Sequence, residues 1–167
     1  LQFAHLYVKN HRYRQIIVKC INQKFEVTVA HLSDNFWQDH SLNYLEMAFR
    51  TDRMEAPHHS DGHGKKVREC GDSIEFFINI QEDRICKASY MTNGCLNTNA
   101  CANTVVNLIE GKTIFEAWKV TPEKVAEYLQ TLPKDHFHCA ELSVGALYLS
   151  LANAVGIQRS SWKKMYR

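Results

Sequence analysis

The clearest pattern in the chain is an alternation of period two. Along Ser73–Gln81, Ile74, Phe76, Ile78 and Ile80 share one face, and a second apolar run, Ile85–Met91, follows across Glu82-Asp83. The pair predicts two strands joined as a hairpin. Residues 12–31 predict another: Arg14–Cys20 is β-rich, Lys24–Ala30 alternates, and Asn22-Gln23 separates them. A lone hairpin is marginal in water, so this one has to pack on something. Elsewhere the period is helical. Ser33 or Asp34 can cap a helix carrying Phe36, Trp37, Leu42, Leu45, Met47 and Phe49. Leu96 to Glu110 reads as a helix stopped by Gly111. Thr113-Ile114-Phe115-Glu116 has the spacing of a capping box, and Thr121-Pro122 opens a helix through Leu129. The last helix begins near His138 and runs to about Val155. Residues 51–69, with His58, His59, Gly62, His63 and Gly64, read as a polar connector. The class is therefore α+β: a small antiparallel sheet of about three strands packed against a layer of about five helices.

Length and composition sharpen this. The 167 residues are 45% hydrophobic with only three prolines and seven glycines, which favours one packed domain and excludes a disordered or collagen-like chain. No apolar run approaches the roughly 18 residues a membrane span needs, and no secretory signal is read; the expectation is a cytoplasmic protein without a membrane partner. Charge is unevenly spread. Residues 1–33 carry five Lys/Arg against Glu26, residues 158–167 carry four and no acid, and the total is +2, so residues 34–157 form an acidic body of −6. The division is a basic extension (1–33, a hairpin), the main domain (34–157) and a basic tail (158–167). Trp162 and Tyr166 interleave with Lys163, Lys164 and Arg167. A tail that solubilises accounts for them, and nucleic acid is not expected as a partner.

Six cysteines stand at 20, 70, 86, 95, 101 and 139, with no CxxC pair. A chain with this much core needs no disulfides, so free thiols in a reducing compartment are expected. Three of them fall at junctions. Cys70 precedes Gly71-Asp72 where the first core strand starts. Cys95 follows Gly94 where a strand hands over to a helix, and Cys139 follows His138 at the start of the last helix. Helix N-termini favour thiolates. With Asp72 and His138 nearby, the set could make a soft-metal site of three thiolates and one variable ligand, or it could be three inert cysteines. A Cys–His nucleophile is disfavoured, since sequence neighbours rarely present in-line geometry. Cys101, about 600° around a helix from Cys95, reads as core; Cys86 reads as buried in a strand and Cys20 as structural. The histidines at 58, 59 and 63 read as a solvated loop, and Trp37, Trp118 and Tyr128 as packing.

Four strings stand in order: Cys70-Gly71-Asp72, Asn93-Gly94-Cys95, Leu108-Ile109-Glu110-Gly111-Lys112-Thr113 and His138-Cys139. Over roughly Phe36 to Ala154 the chain resembles the IscU family, whose fold also occurs as the NifU N-terminal domain. The resemblance implies a non-enzymatic scaffold that assembles a transient iron–sulfur cluster, 2Fe-2S in type, and hands it to apo iron–sulfur proteins. Cys70, Cys95 and Cys139 match the family's cysteines, Asp72 its aspartate and His138 its histidine. The histidine and the short link from Cys95 to Cys139 are similar to the IscU branch rather than to SufU-type members, which carry an insertion there and lysine before the last cysteine. A cysteine desulfurase is the implied sulfur donor, with Cys139 the first choice to receive persulfide. There are departures. The Asn-Pro motif is replaced by Phe49-Arg50-Thr51-Asp52-Arg53, and the approach to Cys70 reads Lys65-Lys66-Val67-Arg68-Glu69. The Leu-Pro-Pro-Val-Lys motif reads Leu132-Pro133-Lys134-Asp135-His136, which leaves a DnaK-type chaperone doubtful as a partner. Residues 1–33 have no counterpart.

The chemistry of such a set is that of a loose grip. Four cysteines would hold a cluster durably, whereas three thiolates with a carboxylate or imidazole give a weaker fourth contact. Asp72, two residues after Cys70, shares its face on a strand. His138 and Cys139 can serve one centre only if the backbone is irregular there. Zinc is expected in the cluster-free form. The competing reading is a zinc-containing sulfur acceptor that stimulates a desulfurase without holding a cluster.

Overall fold

The computed structural model describes residues 36–69 and 71–164, with side chains through Gly156. The hairpin expected at 12–31, Cys20, Cys70 and the Trp162 and Tyr166 side chains lie outside the described residues.

The sheet is an antiparallel meander in the order β1-β2-β3, with β1 Gly62–Val67, β2 Ser73–Gln81 and β3 Arg84–Thr92. Its period-two run does what alternation requires: Ile74, Phe76 and Ile78 are fully buried on one face, joined by Ala88 and Tyr90 from β3. Glu82 and Asp83 both take positive φ, 51° and 61°, as a two-residue hairpin matched to strand twist demands. β1 falls inside the stretch expected to be a polar connector. Gly62 and Gly64 hid it, because glycine is depleted in strands. The structure uses them for close approach to a helix. A Cβ at Gly62 would sit 2.5 Å from the Ser150 carbonyl oxygen, and one at Gly64 would overlap the Ser150 backbone nitrogen.

Among the described residues there are six helices, α1 Phe36–Asp39, α2 Leu42–Phe49, α3 Leu96–Ile109, α4 Ile114–Ala117, α5 Pro122–Leu129 and α6 Phe137–Lys164, with a 3₁₀ turn at Lys134–His136 leading into α6; α6 and α3 pack on the sheet and the others pack around them. The first expected helix is thus two pieces. Its break is made by Ser41, which caps α2 by accepting from the Tyr44 backbone N–H and donates to the Leu129 carbonyl at 2.6 Å. The start of α2 is thereby tied to the end of α5. The other end is tied to α3: Asn99 donates its amide to the Ala48 carbonyl at 2.7 Å, and Asn103 donates to Met47 and Arg50 carbonyls at 2.8 Å each. These are the last-turn carbonyls a helix leaves without partners. The Thr113–Glu116 capping box forms in full, and Pro122 opens α5 under a Thr121 cap.

α6 runs past its expected end near Val155 to Lys164, so residues 158–164 of the expected tail continue the helix. Lys134–Gly156 also contains an 18-residue window of mean hydropathy 1.3, long and apolar enough on that measure to cross a membrane, which corrects the expectation that no such run exists. Of that window, 56% is buried against the rest of the fold. Its apolar positions include Leu142, Leu147 and Leu151, all in the core that faces the sheet.

Candidate metal and sulfur site

Two junctions converge beside one end of the sheet. At the first, β3 leaves the sheet at Thr92 and α3 begins after Cys95, which occupies the N-cap position in extended conformation with no side-chain cap bond. Asn93 fastens this junction to the loop before β2: its Oδ1 accepts from the Ser73 backbone N–H at 2.7 Å, and its Nδ2 donates to the Gly71 carbonyl at 3.2 Å. Thr92 adds a bond from its hydroxyl to the Ser73 carbonyl at 2.7 Å. The loop that carries Asp72 is therefore fixed against the loop that carries Cys95. At the second junction the 3₁₀ turn passes directly into α6, placing Cys139 in the helix's first turn.

The two sulfurs meet, and a third donor joins them. The Sγ atoms of Cys95 and Cys139 and one imidazole nitrogen of His136 lie within 4.8 Å of one another. Cys95 is exposed, His136 half-buried and Cys139 fully buried. Thr98, itself fully buried, bridges the thiols: its hydroxyl donates to Cys139 Sγ at 3.4 Å and lies 3.6 Å from Cys95 Sγ. A cleft of about 340 Å³ opens beside Cys95 and His136, walled by Phe36, His40, Tyr44 and Leu96.

The two thiols differ sharply in acidity. A hydrogen bond from the Cys139 thiol, followed by Thr98 and the first backbone N–H groups of α3, outweighs desolvation and draws Cys95 down to about 4. Cys139 moves the other way, raised by that same partnership and by burial. The pair holds one proton across a wide pH range, as a thiolate at the mouth and a thiol at the floor. Burial also raises the hydroxyl of Tyr44, which donates to Asn97 Oδ1 at 2.5 Å.

Of the residues expected at the site, the structure brings Cys95 and Cys139 together. Cys70 lies outside the described residues. Asp72 is half-buried at the clamped loop and, like His138, is not a member of the close group. The His138 ring is 5.6 Å from that of His136. The backbone is regular helix at His138 and Cys139, the condition under which the two were not expected to serve one centre equally. Two participants went unread in the sequence. The His136-x-x-Cys139 spacing was the signal for the first, and a hydroxyl three residues after a helix-capping cysteine was the signal for Thr98.

The remaining thiols and histidines sort differently. Cys101 is buried as expected, with its thiol raised by burial. Cys86, expected to be buried, is exposed with Sγ 3.3 Å from the Asn79 carbonyl; its side chain falls on the open side of β3. His63 is on β1 rather than in a loop, 2.5 Å from Glu75 and stacked on Phe77 at 5.1 Å.

The family model described as NifU-like N terminal domain matches residues 52–159, a stretch that holds the whole sheet and both thiol-bearing junctions. The chain belongs to this family. Among relatives of this NifU-like domain, "Iron-sulfur cluster assembly scaffold protein IscU 1" of Archaeoglobus fulgidus is 38% identical over 78 residues, 47% of this chain and 51% of that protein. "Iron-sulfur cluster assembly protein IscU" of Plasmodium falciparum is 36% identical over 84 residues, 50% of this chain and 51% of that one. The chain thus spans about half the length of these curated relatives. Two crystal structures share the NifU-like fold. FiSufU, named for the SUF system of Fervidobacterium islandicum AW-1, superposes with a TM-score of 0.59 at 14% identity, covering 71% of this chain and 99% of that one. The N-terminal NifU-like protein of Brucella abortus gives 0.58 at 12% identity, covering 68% and 92%. These likenesses establish the α+β architecture read from the sequence.

Proposed function

We propose that this chain is an iron–sulfur cluster assembly scaffold rather than an enzyme, with Cys70, Cys95 and Cys139 as its sulfur ligands. The observation that carries the proposal is the meeting of Cys95 and Cys139, 44 positions apart in the sequence, at the rim of the sheet beside a cleft. The names of its curated relatives support it. The cluster is the cargo here. The exposed Cys95 thiolate offers the first attachment point, and the Cys139 thiol, sealed at 0% exposure, gives up its proton when metal replaces it. A half-formed grip of this kind suits a cluster that must leave again.

The finer assignment is a 2Fe-2S cluster held transiently, with Asp72 or an imidazole as the harder fourth contact and zinc in the cluster-free form. Sulfur comes from a cysteine desulfurase and the cluster goes to apo iron–sulfur proteins. Cys139 as the persulfide acceptor requires the cleft to open first, since a fully covered sulfur cannot be reached by a partner's persulfide. The chemistry needs reduced thiols, which supports a reducing compartment such as the cytoplasm as its setting.

The test is anaerobic reconstitution with iron and sulfide. The expected product is a coloured protein with sulfide-to-iron absorption, lost in Cys70→Ala, Cys95→Ala and Cys139→Ala and kept in Cys101→Ala. A colourless protein with one tightly held zinc that accelerates desulfurase turnover would replace this reading with that of a zinc-containing sulfur acceptor.

A further inference from the structure

His136 stands outside the four motif strings, in the segment Leu132-Pro133-Lys134-Asp135-His136 that departs from the family pattern. Its position relative to Cys139 is dictated by backbone geometry. The Lys134–His136 turn is 3₁₀ and merges into α6 without a break. Residues three apart eclipse one another in a 3₁₀ turn and lie about 60° apart on an α-helix, whereas neighbours diverge by about 100°. His136 therefore faces the same way as Cys139, and His138 does not.

The side chain has the placement and the free nitrogen of a metal ligand. Its Nδ1 is buried and has no hydrogen-bond partner among the described residues. Its Nε2 lies 3.7 Å from the Asp135 carboxylate, so Nδ1 is the ring nitrogen left without a polar neighbour among the described residues. An imidazole nitrogen and the two sulfurs already lie within 4.8 Å of one another. A tetrahedral zinc ion needs sulfur–sulfur and sulfur–nitrogen separations of about 3.8 and 3.5 Å, so a closure of about 1 Å completes the set. The neighbouring cleft gives a fourth ligand room to approach.

We infer that His136, rather than His138, is the imidazole ligand of this centre, forming a Cys₂His half-site with Cys95 and Cys139 for a tetrahedral divalent ion, zinc above all. The altered Leu132–His136 segment is then a metal-binding element of this chain. The inference rests on the scaffold reading of the same site.

Zinc alone, added to the full metal-free chain under reducing conditions, tests both. Competition against a chromophoric chelator should show His136→Gln weakening zinc by on the order of 100-fold or more, the upper end of what loss of an outer-shell partner does, and His138→Gln by less than about 3-fold. In parallel, ¹⁵N-imidazole spectra of the unsubstituted protein should show the His136 Nδ1 resonance moving on zinc addition while His138 stays put, a readout independent of whether any variant folds. If His138 moves instead, or His136→Gln keeps full affinity while Cys95→Ala and Cys139→Ala lose it, the histidine assignment is overturned and the scaffold reading stands. If the unsubstituted protein takes up no zinc, the histidine assignment falls and the scaffold reading is decided by the iron and sulfide reconstitution alone; if both cysteine variants bind zinc undiminished, the assignment and the reading fall together.

Discussion

Removing the Cys139 thiol should return Cys95 toward ordinary acidity. In the native pair, Cys95 sits at about 4 against 9.0 for an ordinary thiol, and the hydrogen bond from Cys139 is the largest cause. At about pH 7 an ordinary thiol is only about 1% ionised, whereas Cys95 is ionised essentially throughout. Cys139→Ala deletes that bond and leaves only Thr98 and the α3 backbone N–H groups, the kind of support that holds helix N-terminal thiols at about 3.5 to 7.5. The expected shift is upward, toward the upper end of that range. The assay is ultraviolet thiolate absorbance of the metal-free protein, scanned from about pH 3 to about pH 10, with the midpoint of alkylation at Cys95 as a second probe. Midpoints serve better than rates, because a thiolate of higher pKa is also the stronger nucleophile. Thr98→Val, which deletes only the bridging hydroxyl, should move the midpoint in the same direction by less. The sign extends to stability. A thiol depressed on folding contributes stability that is fully present above its unfolded value and is lost as pH falls through about 4. Denaturation midpoints of the native protein should therefore rise from acid toward neutral pH, and rise less in Cys139→Ala. A native Cys95 midpoint near 9, or one that Cys139→Ala leaves unmoved, refutes the shared-proton account.

Gly64→Ala should destabilise the fold severely, by on the order of 3 kcal/mol or more, since its Cβ would fall 2.6 Å from the Leu149 carbonyl carbon and 2.7 Å from the Ala146 oxygen, both backbone atoms that cannot step aside; a thermal melt measures it. Asn99→Leu strips donors from the Ala48 and Arg50 carbonyls and the acceptor from the Tyr90 hydroxyl, at a cost of roughly 3 kcal/mol in urea denaturation, with α2 the first element to loosen in hydrogen exchange. Thr113→Ala, by contrast, opens an exposed capping box and should cost only about 1 kcal/mol.

Much of this was legible residue by residue because the causes are local. Alternation at Ile74, Phe76 and Ile78 marks a half-buried strand whatever packs on it, and Thr113, Glu116, Thr121 and Pro122 satisfy or omit backbone groups within one turn of themselves. The junction positions of Cys95 and Cys139 were visible for the same reason. What was not legible depends on partners distant along the chain. β1 looked like a connector because the reason for its glycines is the backbone of α6 some 85 residues later. Cys86 followed a burial pattern that the β3 face does not obey. His136 and Thr98 acquire meaning only when α3 and α6 are brought side by side. Sequence periodicity reports how a segment divides between water and core, a one-body property of the segment. Which thiol is a thiolate, and which imidazole faces it, are properties of pairs, set by separations of a few ångströms that exist only after the chain has closed its long loops.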